Sequence, residues 1–175
     1  MKGIIIYRGK YGATEQYAQW LSESLHLSFI KASEVTPAIL DDYDTVFVGS
    51  SVYIGKLAIG KWMTSNLEAL TRKKIVVFIV CGTLAGDKEG QRRIIENNLD
   101  PAILKVAKVF FLPGRCVVSK LSWMDRFIIK TGAMLEKDIL KKASMSQGFD
   151  RMDRKSLDSL IAAIGTKAEP PVYSH

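Results

Sequence analysis

The stretch whose residue types and spacing most clearly carry chemistry is Arg8-Gly9-Lys10-Tyr11-Gly12-Ala13-Thr14. It joins a short β-branched run, Lys2 to Tyr7, to a segment opening at Thr14 with helical apolar spacing. Gly9 and Gly12 can take positive φ and leave the backbone uncovered, so successive N–H groups can converge on an anion at a helix N-terminus. Lys10 and the Tyr11 and Thr14 hydroxyls add donors, and Thr14 stands where a helix N-cap is expected. The expected guest is a phosphate. Any tight α/β turn uses glycines; the added donors are what point to an anion. Neither the dinucleotide pattern G-x-G-x-x-G nor the nucleotide pattern G-x-x-x-x-G-K-[ST] fits this turn.

Two later turns have complementary character. Ser50-Ser51-Val52-Tyr53-Ile54-Gly55 supplies small hydroxyls and one aromatic ring, and Cys81-Gly82-Thr83-Leu84-Ala85-Gly86 is small, apolar and glycine-rich. Neither contains an acid, base or metal set. The three turns together suit a flat apolar ligand with a phosphate tail, its ring between the second and third turns and Tyr53 placed to stack on it.

These turns need a scaffold that brings them together. Strand-like runs occur at Lys2–Tyr7, Ser28–Ile30, Thr45–Ser50, Ile75–Val80 and Val109–Leu112. Helical spacing is expected from Thr14 to about Leu25, from Lys56 to Leu70, from Glu89 to Leu99, over Pro101–Ala107 and from Arg154 to Ile164. Strands alternating with helices predict βαβ units, a parallel sheet covered on both faces, and every strand-to-helix turn at its carboxyl edge. The segment Gly55 to Lys61 approaches a nucleotide P-loop, but Trp62 stands where a magnesium-holding hydroxyl is required. A phospho-acceptor receiver is excluded because Tyr7, Arg8, Ser50 and Ser51 occupy the positions where it needs carboxylates.

With 175 residues, 47% hydrophobic and 25% charged, the chain reads as one domain over residues 1–165 with a tail at 166–175. The net charge of +7 favours anionic partners: headgroups, nucleic acid, or a substrate with carboxylates or phosphates. No motif supports nucleic acid. The longest apolar run, Ile75 to Cys81, is far short of a membrane span, and no secretory leader is expected ahead of the first strand. Cys81 and Cys116 lack metal or C-x-x-C spacing, which fits a reducing cytoplasm. His26 and His175 receive no role.

Between about residues 115 and 150 lies an insertion. Leu121 to Lys142 reads as one long helix, with Met124, Phe127, Ile128, Leu135 and Ile139 near one stripe and Arg126, Lys130, Lys137, Lys141 and Lys142 around the rest. Two expectations follow: a helix packed on its own domain, or one lying against anionic headgroups with Trp123 at the interface.

The first turn, Gly9 to Thr14, resembles the phosphate loop of flavodoxins, and Tyr7, Thr14-Glu15 and Val48-Gly49-Ser50-Ser51 strengthen the resemblance. It implies a flavodoxin-like, doubly wound five-stranded parallel sheet of order 2-1-3-4-5, with helices on both faces and a helical insertion after strand five. It also implies FMN bound by Gly9, Lys10, Tyr11, Gly12, Ala13 and Thr14, by Ser50 to Gly55, and by Cys81, Gly82, Thr83, Leu84 and Ala85. Arg115-Cys116-Val117-Val118 and Trp123-Met124-Asp125-Arg126-Phe127-Ile128-Ile129-Lys130 resemble the corresponding region of flavodoxin-like, quinone-dependent protoporphyrinogen dehydrogenases. That resemblance implies oxidation of protoporphyrinogen IX in haem synthesis, electrons passed to a membrane quinone, and a peripheral place on the cell membrane. Arg115, Lys120, Trp123, Arg126 and Lys130 are then expected to meet substrate or membrane. No catalytic side chain or metal is expected, since the flavin carries the chemistry. The alternative is a flavodoxin-type carrier between protein partners; such carriers are usually acidic, opposite to this chain. Association into a homo-oligomer is left open.

Overall fold

Strands buried on both faces must be apolar at successive positions, and the central runs are. In the computed structural model, which describes residues 2–82, 86–135 and 147–165, strand β1 (Gly3–Arg8) is buried over all but its last residue. It pairs in parallel with β2 (Ser28–Lys31) and β3 (Thr45–Tyr53). Strand β3 also pairs antiparallel with the two-residue β4 (Lys56–Leu57), and in parallel with β5 (Lys74–Cys81), which pairs with β6 (Ala107–Pro113). The order is β2-β1-β3-β5-β6, with β4 a short return beside β3. Counting only the parallel strands, this is the doubly wound 2-1-3-4-5 order.

Alternate residues feed two cores. Ile4, Ile6, Val46, Val48, Ile75, Val77 and Ile79 face one side with Leu40, Leu70 and Ile103; Ile5, Phe47, Val76, Phe78 and Val80 face the other with Tyr17, Leu21, Leu157 and Leu160. The second core covers helix α1 (Ala13–Leu25) and the last helix. Gly49 is required by close approach, because a Cβ there would lie 2.2 Å from Cζ of buried Phe78. On the first side lie α2 (Pro37–Asp41), α3 (Gly60–Ser65), α4 (Leu67–Thr71), α5 (Lys88–Glu96) and α6 (Pro101–Leu104).

The single helix expected over Lys56–Leu70 is instead β4 followed by α3 and α4. The chain turns back along β3 at Ile54 and Gly55, both with positive φ, and the helix breaks at Asn66, whose side chain bonds the Trp62 carbonyl. Beyond β6 the insertion opens with β7 (Arg115–Cys116), paired antiparallel with β8 (Phe149–Asp150) where the chain returns. Between them lies α7 (Trp123–Leu135). The remainder of the long helix expected to Lys142, with Lys137, Ile139 and Lys141, lies outside the described residues, as do Thr83, Leu84, Ala85 and the tail. A 3-10 turn, Arg154–Leu157, leads into α8 (Asp158–Gly165).

Candidate functional site

The parallel strands end together, so the turns after β1, β3 and β5 border one cleft of about 390 Å³, within the usual range of small-molecule sites. The first turn contributes Lys10, Tyr11, Ala13 and Thr14, the second Ser51, Val52 and Tyr53, and the third Val80, Cys81 and Gly82. Gly114 and the insertion supply the rest, the latter through Arg115, Cys116, Val117, Leu121, Asp125, Ile129 and Phe149. It is a wall and roof of the cleft.

Some expected ligand-binding residues sit elsewhere. The Ser50 hydroxyl donates to the Ser51 carbonyl and accepts from the Ile59 N–H, which makes it a strut of the second turn. Ile54 is 64% exposed on the hairpin tip with Gly55, away from the cleft. Gly9 and Gly12 line a second cleft, also about 390 Å³, on the other side of the first turn with Arg8, Glu15 and Lys31. There the Tyr7 hydroxyl donates to Glu15 at 2.6 Å, and burial together with that bond holds the phenol in its neutral form.

Thr14 is not the N-cap of α1. Gly12 takes that place at φ 82°, a left-handed conformation that disfavours a side-chained residue, and the Gln16 N–H bonds its carbonyl at 3.0 Å. Thr14 is the second residue of the helix, two past that cap, and its hydroxyl closes over Gly9, where a Cβ would come within 2.6 Å of Oγ1.

The donor chemistry fits a phosphorylated ligand. Thr14 is 1% exposed and its Oγ1 has no hydrogen-bond partner among the described residues; Ser51 Oγ, across the cleft, is likewise buried without one among them. Buried hydroxyls are ordinarily bonded, because desolvating one without a partner costs about 1–3 kcal/mol. Both border the cleft, beside a thirteen-residue helix whose N-terminal N–H groups favour an anion. FMN matches this set: its phosphate would take Thr14 and the first-turn N–H groups, and its polar ring edge would take Ser51.

The group that sequence reasoning missed is Asp125. It is 2% exposed, yet its carboxylate accepts from Tyr11 Oη and Tyr53 Oη and pairs with Lys10 Nζ at 2.6 Å. Burial by itself would raise its pKa; the three donors outweigh burial and hold it well below the usual carboxylate range. Reciprocally, the bond to Asp125 raises the pKa of Lys10 and, with burial second, that of Tyr53. Ser122 starts α7 by accepting the Asp125 N–H at 3.2 Å, while its own N–H donates to Tyr11 Oη at 3.3 Å. Lys10 Nζ also lies 4.4 Å from the Tyr53 ring centroid, so one face of that ring meets a cation.

The insertion cations divide. Arg115 borders the cleft and sits 3.7 Å from Asp150. Arg126 points outside and bonds the Ser119 and Leu121 carbonyls, and Lys120 and Lys130 are exposed. Trp123 is 80% exposed, and Met124 and Phe127, expected on a stripe that could pack on the domain, are exposed beside it. The inward side of α7 is Asp125 and Ile129.

A Flavodoxin domain profile matches residues 4–140. An uncharacterised protein of Methanocaldococcus jannaschii is 28% identical over 83 residues, 47% of this chain, and the match spans only 55% of that relative. Among solved structures, a protein from Bacteroides eggerthii proposed to be a flavoprotein shares the fold at TM-score 0.50 and 13% identity, over 95% of this chain and 99% of that one. Oxidised flavodoxin 2 from Bacillus cereus gives TM-score 0.48 and 20% identity, over 83% and 93% of the two chains. With its profile match running from the first strand into the insertion, the chain belongs to the flavodoxin domain family.

Proposed function

We propose that the protein binds FMN in the cleft at the carboxyl edge of its sheet and serves as a flavin-dependent electron-transfer protein. The observation that carries this reading is the pair of buried hydroxyls, Thr14 Oγ1 and Ser51 Oγ, which have no partner among the described residues and belong to residues that border one cleft beside the N-terminus of α1. FMN, when bound, supplies the electron chemistry at its ring. Thr14 and the first turn would hold the phosphate, Ser51 and Tyr53 would orient the ring, and Leu121, Ile129 and Phe149 would exclude water from it. Titration of the flavin-free protein with FMN, followed by quenching of flavin fluorescence, tests this. Saturable one-to-one binding is expected; no binding at tens of micromolar would overturn the reading.

A second reading makes the protein an enzyme that oxidises protoporphyrinogen IX and passes electrons to a membrane quinone. What favours it is the insertion. Its helix carries an exposed apolar strip of Trp123, Phe127 and Met134 flanked by Arg126 and Lys130, a pattern suited to an anionic membrane surface. The net charge of +7 suits that surface and a propionate-bearing substrate, which Arg115 at the cleft would meet. Among the described residues no helix is long and apolar enough to cross a membrane, so the contact would be peripheral. Porphyrin fluorescence from a flavin-loaded sample given protoporphyrinogen, stimulated by a quinone analogue, is the expected result. Its absence, with reversible reduction by a small protein partner, would leave the carrier role.

A further inference from the structure

We propose that Lys10 and Asp125 are positioning residues that latch α7 over the cofactor cleft, so that Lys10 serves the protein's own carboxylate while Thr14 serves the ligand's phosphate. The inference rests on the FMN reading above and divides the first turn between two anions.

Three observations converge on the latch. The Asp125 carboxylate is 2% exposed and engaged by donors from two separate turns, Lys10 and Tyr11 from the first and Tyr53 from the second. Opposite this contact, α7 turns its large apolar side chains outward, with Trp123 80%, Phe127 68% and Met134 81% exposed. The same first turn holds Thr14, which borders the cleft and whose buried hydroxyl has no partner among the described residues.

A carboxylate this deeply buried is tolerated only with its donors in place, so a half-open roof, with Asp125 desolvated and unpaired, is penalised. Two arrangements remain: latched, or swung out until Asp125 meets water. A phosphate bound by Lys10 would have to displace Asp125 or sit against it as a like charge. Thr14 imposes neither cost. Lys10 therefore controls how long any flavin stays, and Thr14 controls whether its phosphate counts.

The test uses the full chain and the variants Asp125→Asn, Lys10→Met, Tyr53→Phe and Thr14→Val. Limited trypsin digestion without flavin, with cleavage after Arg126 and Lys130 followed by mass spectrometry, reads the latch directly. Asp125→Asn and Lys10→Met should be cut there faster by on the order of tenfold, Tyr53→Phe by less, and Thr14→Val at the wild-type rate. Lys10→Met and Tyr53→Phe keep the result readable should Asp125→Asn fail to fold. Wild-type cutting rates in both would overturn the latch. Stopped-flow release of FMN and riboflavin reads the division. Lys10→Met should speed release of both flavins by the same factor, and Thr14→Val should weaken FMN alone. Selective loss of FMN in Lys10→Met would make Lys10 a phosphate ligand and overturn the division. A wild-type protein that binds neither flavin, yet whose roof loosens in Asp125→Asn, would sink the cofactor reading and the division while keeping the latch.

Discussion

Phe78 is 0% exposed in the sheet, packed in the core that holds Phe47, Tyr17 and Leu160; the residue buried almost as deeply in the roof is a carboxylate, Asp125, at 2%. Around Phe78 the attachment is area, non-directional and spread over many neighbours. Around Asp125 it is three directional contacts, with the apolar side of α7 turned to the outside. The first kind of attachment fails only with the whole fold. The second can fail by itself, which is the property a cover over a cofactor needs.

The contrast breaks most visibly at the sheet. Phe78→Ala should lower the unfolding free energy by about 4 kcal/mol in urea titrations; a loss below about 1 kcal/mol would mean that the sheet is not held by packing. The roof is probed by pH. The Asp125 carboxyl is held below its ordinary value, so its contribution is complete above about pH 4 and lost only as pH falls through the lower folded value. Lys10 and Tyr53 are raised, so their contributions are complete below about pH 10 and lost as pH rises through the folded values. The carbon-13 resonance of the Asp125 carboxyl should therefore show no titration step between about pH 3 and pH 9; a step near pH 4, the ordinary aspartate value, would place that group in solvent.

Smaller effects sharpen the comparison. Ser51→Ala removes a hydroxyl with no partner among the described residues, so unfolding should be nearly unchanged while FMN affinity falls by about 1 kcal/mol, read by fluorescence titration. Trp123→Ser with Phe127→Ser should leave stability within about 0.5 kcal/mol, since both rings already face out. The same double variant should lose co-sedimentation with anionic vesicles if that strip meets a membrane. Unchanged vesicle binding would assign the contact to other residues.

The five parallel strands were legible because a strand covered on both faces must be apolar throughout, and Ile75 to Val80 can be little else. The convergence of the three turns followed from topology. Strand β4 was not legible, since Lys56–Leu57 is too short to show a period and merges with the helical spacing after it. Thr14 was misplaced because a hydroxyl at a helix start ordinarily caps it, whereas here Gly12 takes the cap position with no side-chain bond. Asp125 was passed over because an acid in a first helical turn usually faces water and complements the dipole. Its phase was the available signal: it lies four residues after Leu121 and four before Ile129, on the side opposite Trp123, and all three of those inward residues border the cleft.

Strands β7 and β8 set Cys116 directly opposite Phe149, so the polypeptide departs and re-enters as hydrogen-bonded neighbours. Everything strung between those positions is closed at its base like a purse. Such a cassette can be shortened, lengthened or exchanged without asking the sheet to move. One scaffold could thereby acquire a different cover, and with it a different clientele, through changes confined to a single excursion of the chain.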